Sequence, residues 1–121
     1  MWQREIRPGV HWVGAIDWDR RLFDALIPLP DGTSYNSYLI RGSEKVALVD
    51  TVDPTMKQKL LENLNHLGID SIDYVIANHA EPDHSGSIPD VLDRYPGSTI
   101  LATPRCKGML VDRLMIPEEK V

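Results

Sequence analysis

Four side chains able to ligate a metal ion, His79, Glu81, Asp83 and His84, fall within the six-residue run His-Ala-Glu-Pro-Asp-His. Two imidazoles and two carboxylates at this density suit metal chemistry better than acid–base work by a single group. Pro82 pushes Glu81 toward an extended conformation, and residues two apart in an extended segment face the same way. His79 and Glu81 are therefore expected to converge on one ion. Asp83 and His84 follow the bend and are expected to serve a second ion beside the first.

Such ligands need an element to aim them. Residues 74–77 (Tyr-Val-Ile-Ala) read as a buried strand, which places His79 just beyond its carboxyl end, where open α/β sheets carry their chemistry. Ser85 and Gly86 open a helical pattern, so Asp83 and His84 are expected in a tight turn. Further along, strand and helix signals alternate. Residues 6–13 and 35–40 read as early strands, joined across a loop with Pro28, Pro30, Asp31 and Gly32, and residues 46–49 as another strand. A helix is predicted over residues 54–67, with Asp53 as N-cap, Pro54 at its first position and Gly68 beyond its end. Its core face is Met56, Leu60, Leu64 and Leu67, with Lys57, Lys59, Glu62 and Asn63 pointing elsewhere. A second helix is predicted over residues 87–95 and a strand over 99–102. A third helical segment follows, with Thr103 as N-cap, Pro104 in its first turn, and Met109, Leu110 and Leu114 on one side. The pattern is α/β, opening with antiparallel strands.

Composition bounds the possibilities. The 121 residues are 42% apolar and 26% charged, ordinary for a globular chain that buries roughly 65% of its unfolded surface. A net charge of −5, with no basic stripe among scattered Lys and Arg, argues against nucleic acid as a partner. No apolar run approaches the ~20 residues of a membrane helix, and the first residues have no apolar signal core. With Cys106 the sole cysteine, a disulfide scaffold is excluded and a cytoplasmic location is expected. There is no Gly-rich phosphate loop and no Cys pair for a rubredoxin-type iron site.

The His-Ala-Glu-Pro-Asp-His run resembles the metal motif of the metallo-β-lactamase superfamily, with Glu81 where the hydrolases carry their middle histidine. In that form it is similar to the flavodiiron proteins, also called A-type flavoproteins. Residues 10–14 (Val-His-Trp-Val-Gly), 34–40 (Ser-Tyr-Asn-Ser-Tyr-Leu-Ile) and 46–52 (Val-Ala-Leu-Val-Asp-Thr-Val) resemble that family's opening segments in order and spacing. The resemblance implies a metallo-β-lactamase-like αββα sandwich of two αβ halves with the metals between them. Residues 1–121 would be the N-terminal part, and one sheet face would await a partner layer. It further implies a di-iron centre, with His79 and Glu81 on one iron and Asp83 and His84 on the other. The remaining ligands, a histidine, a bridging aspartate and another histidine, would come from elsewhere, since no histidine follows His84. A carboxylate in place of an imidazole hardens the site and favours iron over zinc.

The activity implied is reduction of dioxygen to water or of nitric oxide to nitrous oxide. Electrons would come through FMN on a flavodoxin-like domain outside these residues, fed by a donor such as rubredoxin or a flavin reductase, in a head-to-tail dimer. Two other readings stay open. One is a metal-dependent hydrolase of the same superfamily, whose metal-bound hydroxide attacks a thioester, lactone or phosphoester. The other is a noncatalytic metal-binding fragment.

The remaining polar candidates have plainer expectations. Asp83 has a competing use as a helix N-cap. Asp50, closing an apolar strand, is expected to anchor a turn or support a ligand. His66 suits the last turn of a helix, His11 a structural place in a strand. Cys106 lies between Arg105 and Lys107 but is expected to be an ordinary thiol. Trp2, Trp12 and Trp18 are expected to pack.

Overall fold

The computed structural model describes residues 2–121. Its N-terminal strand pair is a hairpin of β1 (Arg4–Arg7) and β2 (Val10–Trp12), where the sequence suggested one continuous strand. The reason is local: Pro8 lacks the N–H a strand needs, and Gly9 turns the chain at φ 78°, which a side chain would oppose. The second expected strand is also divided. Its first part, β6 (Thr33–Tyr35), pairs with β3 (Ala15–Asp17) in a separate ribbon. Its second part, β7 (Tyr38–Arg41), pairs with β2 in the main sheet. Between β3 and β6 a small hairpin, β4 (Leu22–Phe23) with β5 (Ile27–Pro28), projects from the body.

From β8 (Val46–Val49) onward the chain follows the expected alternation. A 3₁₀ turn (Pro54–Met56) leads into α1 (Lys57–His66), and Asp53 caps it by accepting from the Thr55 N–H at 3.1 Å. Then come β9 (Tyr74–Ile76), a short α2 (Pro82–Ser85), α3 (Ile88–Arg94), β10 (Thr99–Leu101) and α4 (Pro104–Leu114), with Thr103 capping α4 through the Cys106 N–H. The main sheet has six strands in the order β1-β2-β7-β8-β9-β10, antiparallel up to β8 and parallel from β8 to β10. Right-handed crossovers along a sheet that grows in one direction put α1 and α3 on the same face.

That face is the core. Leu39, Leu48, Val75 and Ile100 stand side by side across four strands, and each is no more than 1% exposed. They meet Leu60 and Leu64 of α1, Ile88 and Val91 of α3, and Cys106 and Leu110 of α4 in one cluster. Met56 and Leu67 pack at its border, as the helical periodicity implies. Asn63 departs from expectation. It is buried, and its amide donates to the Val13 and Gly14 carbonyls at 3.0 Å each while its oxygen accepts from the Gln3 N–H. A polar side chain survives there because every one of those bonds is made.

Of the tryptophans expected to pack, Trp18 departs most plainly from expectation. Trp2 and Trp18 are 61% and 65% exposed; Trp2 lies against the His66 ring, and Trp12 donates its indole N–H to Asn36 at the surface. Among the described residues no helix is long and apolar enough to cross a membrane.

Candidate metal centre

Strand β9 delivers the chain to the site. It is the second of the parallel strands, flanked by β8 and β10, and the His79–His84 run begins three residues past its end. Glu81 takes an extended conformation (φ −66°, ψ 148°), as the following proline demands, and stands at the N-cap position of α2 without a capping side-chain bond. Asp83 lies inside that helix and does not cap it, and His84 is in its last turn. The expected tight turn is therefore a single helical turn beginning at Pro82.

The two imidazoles are brought together. The rings of His79 and His84 stack with centroids 4.9 Å apart and planes 11° from parallel. His84 Nε2 lies 3.4 Å from Asp83 Oδ2, so that pair is adjacent. His79 is held differently, accepting the Glu81 backbone N–H at Nδ1 over 3.2 Å. His79 and Glu81 are exposed, whereas Asp83 and His84 are partly buried. Among the described residues no three His, Cys, Asp or Glu side chains gather closely enough to hold one ion. The donors fit iron in chemistry, hard carboxylates with imidazoles, and they fit as partial sets rather than as a closed cage.

Asp50 supports the site from β8. It has a left-handed conformation (φ 57°), and its carboxylate accepts from the Asn78 backbone N–H at 2.9 Å and from His84 Nδ1 at 3.3 Å. It thus holds both ends of the loop that carries the candidate donors. A proton kept on Nδ1 leaves the Nε2 lone pair of His84 free, the tautomer a metal ligand needs. Ser37 Oγ fixes the same residue by donating to the Asp50 carbonyl at 2.8 Å.

Cys106 is buried, and its thiol donates to the Ala77 carbonyl at 3.7 Å. Burial, and next the charge of Asp50, push that thiol up from its usual value, so its neighbours do not favour a thiolate. An open cleft of about 220 Å³ lies beside the loop, between His79, Glu81 and the start of α4 at Thr103 and Arg105. His11 contacts Gln3 and Glu5 within the first hairpin, away from this loop.

Residues 30–118 match the family model described as the metallo-beta-lactamase superfamily. The chain belongs to the metallo-beta-lactamase superfamily. Within it, the chain is 42% identical over 106 residues to the type A flavoprotein fprA of Rhodobacter capsulatus, covering 87% of this chain and 24% of that protein. It is 38% identical over 115 residues to the anaerobic nitric oxide reductase flavorubredoxin of Vibrio vulnificus, covering 93% and 23%. The structure superposes on rubredoxin oxygen:oxidoreductase from Desulfovibrio gigas with a TM-score of 0.89 at 33% identity, covering 95% of this chain and 29% of that one. This metallo-beta-lactamase chain therefore spans about a quarter of the length of the curated relatives it matches. Its mixed α/β sheet has a metallo-beta-lactamase-like fold, and its likeness extends to flavodiiron proteins.

Proposed function

We propose that residues 1–121 form the N-terminal part of the metal-binding domain of a flavodiiron oxidoreductase that reduces dioxygen or nitric oxide in the cytoplasm. The observation that carries this reading is the His79–His84 run just past β9, whose two imidazoles stack and whose sequence has Glu81 between them, in a chain similar to flavodiiron proteins along most of its length. His79 and Glu81 would hold one iron, Asp83 and His84 the other. The remaining ligands would come from a second αβ layer lying on the open face of the sheet, and FMN from a flavodoxin-like domain. A redox partner such as rubredoxin would supply electrons to a head-to-tail dimer.

When bound, the iron pair would supply the redox equivalents for reduction of the gas. The chain's own residues do the rest. Asp50, 3.3 Å from His84 Nδ1, would hold the ring with its proton on that nitrogen, the carboxylates of Glu81 and Asp83 would stabilise the oxidised metal, and the cleft beside His79 would admit a small molecule. Elemental analysis of the full-length protein, purified without chelators from cells supplied with iron and zinc, tests the reading. The expected result is a pair of irons per chain with little zinc, and iron falling in favour of zinc in Glu81→His. Stoichiometric zinc in the wild type would support the hydrolase reading and overturn this one.

A further inference from the structure

The four residues after β8 and the loop carrying the metal donors are laced together by buried hydroxyl groups. The Thr51 backbone N–H and Thr51 Oγ1 both donate to the His84 carbonyl, each at 2.7 Å, so both lone pairs of that oxygen are used. Thr51 Oγ1 in turn accepts from the Ser87 N–H at 3.3 Å, and Ser87 Oγ donates to the Val52 carbonyl at 2.8 Å. Within the loop, Ser85 Oγ donates to the Ala80 carbonyl at 2.7 Å and to the Glu81 carbonyl at 3.1 Å. Thr51 and Ser87 have no exposed surface and Ser85 is 1% exposed, so water does not compete for these bonds.

The loop also meets Pro54 without room for a side chain at Gly86, where a Cβ would lie 2.5 Å from Pro54 Cδ and 2.4 Å from the loop's own Pro82 carbonyl oxygen. The left-handed turn at Asp50 breaks the strand alternation, so that successive residues address the same histidine: Asp50 its ring, Thr51 its peptide group. Nothing in this lacing involves a metal.

We propose that Thr51 is a positioning residue that sets the backbone of His84 and, with Ser85 and Ser87, holds residues 80–87 in the ligand-presenting conformation before any metal binds. The claim that His84 is then a ligand rests on the function proposed above; the claim that the loop is preformed does not. A loop ordered in advance spares the metal the entropy of ordering it, so the clamp adds to metal affinity.

Amide hydrogen exchange at Thr51 and Ser87 in the full-length protein, metal-free and metal-loaded, tests the clamp. Both amides should be protected in the metal-free protein to within ~10-fold of the loaded one. Thr51→Val should speed exchange at Ser87 on the order of 100-fold, with Thr51→Ser restoring it. Ser98→Ala serves as control, because Ser98 Oγ makes an equally buried bond to the Ile72 carbonyl at the opposite end of the sheet; it should leave Ser87 unchanged. A cobalt(II) titration, read by its visible spectrum, should show affinity weakened about tenfold by Thr51→Val and hardly at all by Ser98→Ala. Protection that appears only on metal loading overturns the proposal, and that comparison needs no variant to fold. So does a Ser98→Ala effect on Ser87 equal to that of Thr51→Val. A protected metal-free loop in a wild type that takes up no cobalt would instead overturn the metal assignment and leave the clamp standing.

Discussion

The two faces of the central sheet are made from alternate residues of the same strands, yet they differ sharply in environment. On the inner face Leu39, Leu48, Val75 and Ile100 are sealed beneath three helices. On the outer face, the rows Tyr38, Val49, Ile76, Leu101 and Ile40, Ala47, Tyr74, Thr99 carry no charged side chain and stay partly or fully exposed, Leu101 at 46%. Strands that are apolar on both sides are those of sheets covered on both sides. The difference teaches that strand sequence records the environment a face is built for, while exposure records only the layers packed against it. The open face is where the second layer proposed above would lie.

Several substitutions would break or sharpen this contrast. The largest effect is expected at the centre of the inner row: Leu48→Ala should cost about 2–5 kcal/mol in urea unfolding, because the cavity lies among packed neighbours. Its neighbour in sequence points the other way, and in the 121-residue chain Val49→Ala should cost under about 1 kcal/mol. Equal costs would remove the distinction between faces. Next, Asn63→Ala should cost about 1–3 kcal/mol, since it strips the buried Val13 and Gly14 carbonyls of their donor. An effect near zero would mean that water reaches those carbonyls and the inner side is wetter than described.

A smaller, pH-dependent effect is expected in the β3–β6 ribbon. Burial, and next its hydrogen bond to Asp17 at 2.9 Å, push the Tyr35 hydroxyl up to about 12. Its ordinary value is 10.0, so the folded state favours the neutral phenol. That stabilisation is fully present below pH 10 and is lost as pH rises through about 12. The melting temperature of the wild type should therefore fall more steeply across that window than that of Tyr35→Phe; parallel curves would contradict the assignment. The smallest effect on stability belongs to the outer face. Ile40→Lys combined with Leu101→Lys should change unfolding free energy by no more than about 0.5 kcal/mol, yet reduce binding of a hydrophobic dye and self-association of the 121-residue chain. Unchanged dye binding would place the sticky surface elsewhere, for example on the β4–β5 hairpin, where Leu26 is 82% exposed.

Much of the architecture was readable because it is written locally. Asp53 and Thr103 cap their helices as their positions suggested, each satisfying an N–H two or three residues on. The spacing of Leu60 and Leu64 placed one face of α1 in the core. The proposed donors were visible for the same reason, lying within one strand-to-helix connection. Where the reading went astray, a distant partner decided. Asn63 seemed a surface residue until the first hairpin brought two carbonyls over it. Residues 35–40 read as one strand, but they divide between two partners: Tyr35 pairs with β3, and Tyr38 to Ile40 pair with β2. Asp83 carried the local signature of a cap, yet Pro82 had already begun the helix.

The sequence by itself determined the donor types, the helix starts marked by Asp53 and Thr103, the strand that aims the loop and the apolar character of both sheet faces. These follow from bonds and periodicities spanning only a few residues. Only the tertiary structure decided that Asp50 holds the His84 ring, that Thr51 holds its peptide, and that Arg20 reaches Asp53 at 3.2 Å. Those partners lie 33 or 34 residues apart in sequence, and their meeting depends on strand order and register. Closing such loops costs entropy that no local pattern repays; the shared core repays it, and only the assembled sheet defines that core.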